Sequence, residues 1–119
     1  MKRLALSLAL FALAAPLAAC EEPIACDEMA VASVNVHVED SLGPVEGLAV
    51  EYAAEDLAFV PCEDFGGGDY VCGWEQAGLI EIRIDEEGYE LFEAEVEVEE
   101  DVCHVIGEEL DVLLIEVDP

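Results

Sequence analysis

The sequence predicts an all-β chain, an antiparallel β-sandwich of about seven strands, and three observations predict it. Apolar and acidic residues alternate along several stretches, most cleanly where Ile80, Ile82 and Ile84 are interleaved with Glu81, Arg83 and Asp85. Clusters of Gly, Pro, Asp and Ser punctuate these stretches at regular intervals. No segment after residue 19 carries the helical period.

The elements follow in order. Met1, Lys2 and Arg3 precede an uncharged run from Leu4 to Ala19, interrupted only by Ser7 and Pro16. A basic start and a short apolar middle make a secretory signal of residues 1–19. The run is shorter than the roughly 20 residues a membrane-spanning helix needs. Residues 20–30, CEEPIACDEMA, form a polar spacer, and residues 31–119 form the sandwich domain. Val34, Val36 and Val38 share one strand face, with Asn35, His37 and Glu39 on the other. DSLGPVEG, over residues 40–47, is a turn or crossover, after which Leu48, Val50 and Tyr52 mark a second strand. Leu57 to Cys62 and Asp69 to Trp74 are short apolar pieces flanking EDFGGGD, whose three glycines suit a hairpin or a looser loop. After the isoleucine strand, EEG turns the chain into a strand with Phe92, Ala94, Val96 and Val98 inside and Glu93, Glu95, Glu97 and Glu99 outside. Val102 to Val117 holds two strands or one bent strand, broken at Gly107.

Composition narrows function. The chain carries 30 Asp and Glu against three Lys and Arg, a formal charge of −27. Removal of residues 1–19 leaves Arg83 as the sole fixed positive charge. Nucleic-acid binding is excluded, because phosphate neutralisation needs Lys and Arg. Adhesion of the domain to anionic headgroups is excluded for the same reason. Acidity of this degree can accompany disorder, but here the acids alternate with Val, Ile, Leu, Phe and Tyr instead of replacing them.

Leu17, Ala18, Ala19 and Cys20, at the end of the signal, resemble the lipobox of bacterial lipoproteins. The resemblance implies cleavage before Cys20, diacylglyceryl transfer to its sulfur and acylation of the new amino group. One acyl chain holds a protein to a membrane only marginally, so two or three are needed. The implied location is the bacterial cell envelope, with the domain lipid-anchored at the outer membrane and facing the periplasm or the exterior. The stretch VNVHVEDSLGPVEGLAVEY is similar to the opening of carboxypeptidase regulatory-like, or transthyretin-like, domains, which are Greek-key sandwiches. Val36, Val38, Asp40, Gly43, Pro44, Val45, Gly47 and Val50 occupy the matching places, and Gly88 to Glu90, GYE, resembles a recurrent feature of that family. Such domains are non-catalytic modules, so the resemblance supplies no catalytic residue.

With Cys20 lipidated, the five cysteines reduce to four: Cys26, Cys62, Cys72 and Cys103. An exported domain lies in an oxidising compartment where these pair, and four cysteines allow three connectivities. Closure of the glycine loop favours Cys62 with Cys72, leaving Cys26 with Cys103. A zinc site built from these thiols and His104 is disfavoured by the lack of any CxxC spacing.

Catalytic chemistry finds little support. Ser33 and Ser41 lack a nucleophile-elbow context. His37 and His104 are isolated histidines. Paired carboxylates, the glycosidase requirement, meet by chance among so many acids. Glycines 66–68 lead into a strand instead of a helix start, so they do not cradle phosphate. Calcium is the sharper alternative, since adjacent glutamates repel and a divalent ion relieves that. Its candidate ligands are Glu63, Asp64 and Asp69 in one loop and Glu99, Glu100 and Asp101 in another. The expectation is a non-catalytic, lipid-anchored envelope protein with no obligatory cofactor, presenting an acidic, disulfide-bonded sandwich to a protein, glycan or cationic partner. A calcium-dependent adhesion module is the alternative.

Overall fold

The alternation over residues 32–40 becomes the central strand of one sheet. In the computed structural model, which describes residues 26–117, the strands are β1 (Ala32–Asp40), β2 (Gly43–Pro44), β3 (Val50–Ala54), β4 (Val60–Pro61), β5 (Glu63–Gly66), β6 (Asp69–Trp74), β7 (Gly78–Ile84), β8 (Phe92–Glu100), β9 (Val105–Ile106) and β10 (Glu108–Leu113). The expected signal and Cys20 lie outside the described residues. Sheet A has the order β10-β1-β6-β5, with β2 added to β1, and sheet B runs β4-β3-β7-β8-β9. The domain is all-β with a sandwich-type arrangement of the two sheets. Three of the strands have only two residues each.

The core is what the alternation selects. Val34, Val36 and Val38 from β1, Tyr70 and Cys72 from β6, and Ile80, Ile82 and Ile84 from β7 are all buried between the sheets. Removing each of these side chains from water contributes roughly 1.5–3 kcal/mol for the aliphatic ones. Tyr70 is also buried, and its phenol is fully employed: it donates to the Val45 carbonyl at 2.8 Å and accepts from the Leu48 amide at 3.2 Å. It therefore pins the PVEGL crossover to sheet A. Tyr89 of GYE donates to Asp40 at 2.6 Å, which pushes its phenol up to about 12 and holds Asp40 below the usual carboxylate range.

Three features differ from the sequence expectation. The sheets are antiparallel except where β10 runs parallel to β1, pairing Val34 with Glu108 through Glu39 with Leu113. Both strands enter sheet A from the same end, because the last region splits at Gly107 between sheet B (β9) and sheet A (β10). A Cβ on Gly107 would lie 2.7 Å from the Ala32 carbonyl oxygen, so the crossing requires glycine. The glycine stretch is mostly strand: Glu63 to Gly66 pair with β6, and Gly67 and Gly68 make the turn. Gly68 has φ of +85°, and a Cβ there would meet the Val38 carbonyl at 2.7 Å.

The third difference is in β1 and β6, where alternation breaks. Ser33 and Val34 are consecutive and both buried, and opposite them so are Cys72 and Gly73. Gly73 has φ of +89° and lies against Tyr52 and Ser33, and the Ser33 hydroxyl accepts from the Gln76 amide at 2.7 Å. The irregularity reverses the parity of the next residue, so Trp74 faces outward.

Two disulfides join Cys26 to Cys103 and Cys62 to Cys72, with Cα separations of 5.4 and 4.5 Å. The first ties the N-terminal spacer to the β8–β9 connection, and the second ties the β4–β5 passage between sheets to the buried face of β6.

Candidate functional site

The outer face of sheet A carries an open depression lined by two aromatic rings. Its volume is about 420 Å³, and Asn35 and His37 of β1, Asp69, Val71 and Trp74 of β6, Phe65 of β5 and Glu109 of β10 border it. Trp74 and Phe65 remain 41% and 60% exposed, while Val71 in the same lining is 8% exposed. The size is within the range of small ligand sites, which runs from roughly 300 to 1,000 Å³. The Trp74 indole N–H donates to Glu63 Oε1 at 2.6 Å, which fixes the ring against the sheet.

His37 lies at one end of this depression between two carboxylates. Its Nδ1 is 2.7 Å from Asp69 Oδ1 and its Nε2 is 2.9 Å from Glu39 Oε2. An imidazole donates through both nitrogens only when protonated. The Asp69 hydrogen bond, then that of Glu39, accordingly raises the His37 pKa above its ordinary value. Asp111 is paired with His37 across the β1–β10 ladder, adding a third acid to this end.

His104 repeats the arrangement at the other end of the domain. Nδ1 is 2.6 Å from Glu75 Oε2 and Nε2 is 2.8 Å from Asp27 Oδ1, and Glu75 is the main reason its pKa is raised. The same hydrogen bond holds Glu75 below its ordinary value. Glu75 also accepts from the Val31 and Val105 amides, at 2.9 and 3.1 Å. Here the histidine fastens the spacer to the sandwich, beside the Cys26–Cys103 bridge, and its ring has no open nitrogen for acid–base work.

A second outer depression, of about 360 Å³, lies on sheet B among Phe59, Glu81, Ile82, Glu93, Ala94 and Glu95. Glu81 is directly opposite Glu95, and Arg83 is opposite both Glu51 and Glu93. Arg83 donates to Glu51 Oε1 at 2.8 Å, and its guanidinium carbon is 3.9 Å from the centre of the Phe59 ring.

The calcium candidates each have another partner in the fold. Glu63 accepts the Trp74 indole, and Asp64 accepts the Gly47 and Gly66 amides at 3.0 and 2.8 Å. Asp69 faces His37. Asp101 Oδ1 accepts the Cys103 and His104 amides at 2.8 and 2.9 Å, which keeps it below its ordinary pKa. Glu99 and Glu100 are ladder residues opposite Ile106 and Val105. Among the described residues no group of three or more His, Cys, Asp or Glu side chains is arranged to hold a metal ion.

Sequence reasoning missed the aromatic pair. Strict alternation from Tyr70 and Cys72 would place Trp74 inside, and Phe65 is hidden in a stretch that composition assigns to a loop. The only available signal was Gly73, a glycine within a strand, which marks bulges and close backbone approach. No family model, no curated protein and no solved structure matches this chain.

Proposed function

We propose that the chain is a non-catalytic, lipid-anchored protein of the bacterial envelope, presenting an acidic β-sandwich as a binding module. The observation that carries the reading is the open cleft on sheet A, which two exposed aromatic rings line together with buried Val71 and the carboxylates of Asp69 and Glu109. Exposed aromatic rings on an outer sheet face contribute nothing to a core and supply contact area for a partner.

The tether half of the proposal is supported by the Leu17 to Cys20 motif and by cysteine arithmetic: two disulfides employ Cys26, Cys62, Cys72 and Cys103 out of five. The spacer reaches the sandwich at the Val31 end of β1, and His37 and Asp69 lie toward the other end of that strand. The transthyretin-like assignment is supported by Asp40 and Tyr89, residues of its two sequence signatures, which meet through a hydrogen bond.

Detergent phase partitioning of envelope fractions tests the anchor. Wild-type protein is expected in the detergent phase with an acylated Cys20 by mass spectrometry, and Cys20→Ser in the aqueous phase. Equal partitioning of the two would overturn it.

A further inference from the structure

We propose that the sheet A cleft binds alkylammonium and guanidinium groups, and that its occupant is a basic segment of a partner protein whose Lys and Arg side chains insert between Trp74, Phe65 and the surrounding carboxylates. This rests on the binding-module reading and names the ligand class.

The domain already contains one example of the chemistry. On sheet B, Arg83 places its guanidinium over the Phe59 ring and against Glu51, so an aromatic face and a carboxylate together hold a cation supplied by the chain itself. The sheet A cleft has the same partners in larger number. Trp74 and Phe65 supply two aromatic faces, and Glu109 and Asp69 border the cavity. Cations are attracted to the negative face of an aromatic ring, most strongly that of tryptophan. Arg83 is the only Lys or Arg among the described residues, and it is committed on the opposite face. With residues 1–19, and so Lys2 and Arg3, removed as proposed, any fixed cation entering the sheet A cleft comes from another molecule.

Charge selects among possible occupants. A formal charge of −27 repels phosphates, carboxylates and a second copy of this chain, and it steers basic ligands inward. A neutral sugar would gain from the rings but nothing from the field. His37 does not substitute for the missing cation, because both of its nitrogens are turned to Asp69 and Glu39. The Glu63 hydrogen bond holds the Trp74 ring in place before a ligand arrives, which limits the ordering cost of binding.

The protein has a single tryptophan, so its emission reports on this cleft alone. The test is titration of the intact protein with acetylated, amidated hexa-arginine and hexa-lysine, with a neutral hexasaccharide in parallel. The expected result is a saturable change in Trp74 emission with both peptides and none with the sugar. Phe65→Leu should weaken peptide binding roughly fivefold, and Glu109→Gln should weaken it while leaving the circular dichroism spectrum unchanged. The double variant Glu81→Gln/Glu95→Gln, on the opposite face, removes two charges and is expected to change affinity less than Phe65→Leu. An effect as large as that of Phe65→Leu would show diffuse charge attraction and overturn the site. Saturation by the sugar with no peptide response would overturn the cationic ligand and leave the binding-module reading standing. No response to either probe would remove both.

Discussion

The two outer faces of this sandwich are similarly acidic yet chemically unlike. Sheet B presents Glu81 opposite Glu95 and one arginine shared between Glu51 and Glu93, and its single aromatic, Phe59, is covered by that arginine. Sheet A presents acids on either side of a histidine, and two aromatic rings with no Lys or Arg over them. Acidic side chains by themselves make a repelling, soluble surface with discouraged strand edges. The same acids beside uncovered rings make a place where a cation is favoured. A count of carboxylates does not separate the two faces, and the location of Trp74 and Phe65 does.

The comparison can be broken from beneath each face. Ile82 is 1% exposed under the middle of sheet B, so Ile82→Ala should destabilise by roughly 2–5 kcal/mol. Denaturant unfolding would read it, and a loss below about 1 kcal/mol would mean that β7 is not the floor of that face. On the other side, joint replacement of Cys62 and Cys72 by alanine frees the β4–β5 passage from β6 and should cost about 2–4 kcal/mol. Hydrogen exchange should then accelerate first in β5 and β6, next to Phe65 and Trp74, and uniform acceleration across both sheets would contradict this placement.

Smaller effects sharpen the contrast. Glu95→Lys turns a like-charge pair into an opposite-charge pair with Glu81 and should stabilise by about 0.2–1 kcal/mol, less at high salt. A melting temperature insensitive to this change would mean that the two side chains splay apart in solution. The smallest effect is that of pH, because both histidines are partly exposed. Their folded pKa values are raised, so the stability they contribute is complete below the ordinary value near 6.5 and is lost as pH rises through the folded value. Glu75 has the opposite sign, contributing above its ordinary value and losing that contribution as pH falls. Amide spectra recorded upward from pH 6 should shift around His37 and Asp69 on sheet A and at the His104 clamp. Residues 92–96 of sheet B should stay still, and movement there would show that the faces are coupled.

Much of the core was legible because side-chain direction along a strand is a local property. Ile80, Ile82 and Ile84 declare their face without knowledge of any partner, and so do Val34, Val36 and Val38. The sheet A cleft was not legible, since it depends on one irregularity at Ser33 and Gly73 that reverses Trp74. The partners of the calcium candidates were not legible for a related reason: Glu63, Asp64 and Asp69 are near one another in sequence, but the fold brings each a different partner, Trp74, Gly47 and His37.

By itself the sequence determined that the chain is built of strands, which of their residues point inward, and that the surface is overwhelmingly negative, because periodicity and charge are carried residue by residue. Tertiary structure decided that the last strand joins the first in parallel, that His37 and His104 are each held between two acids, and that Trp74 and Phe65 share one cleft. These depend on which strands become neighbours. Residues as far apart as Asp27 and His104 have no common local signal, and only the closing of the sandwich brings them within hydrogen-bond reach.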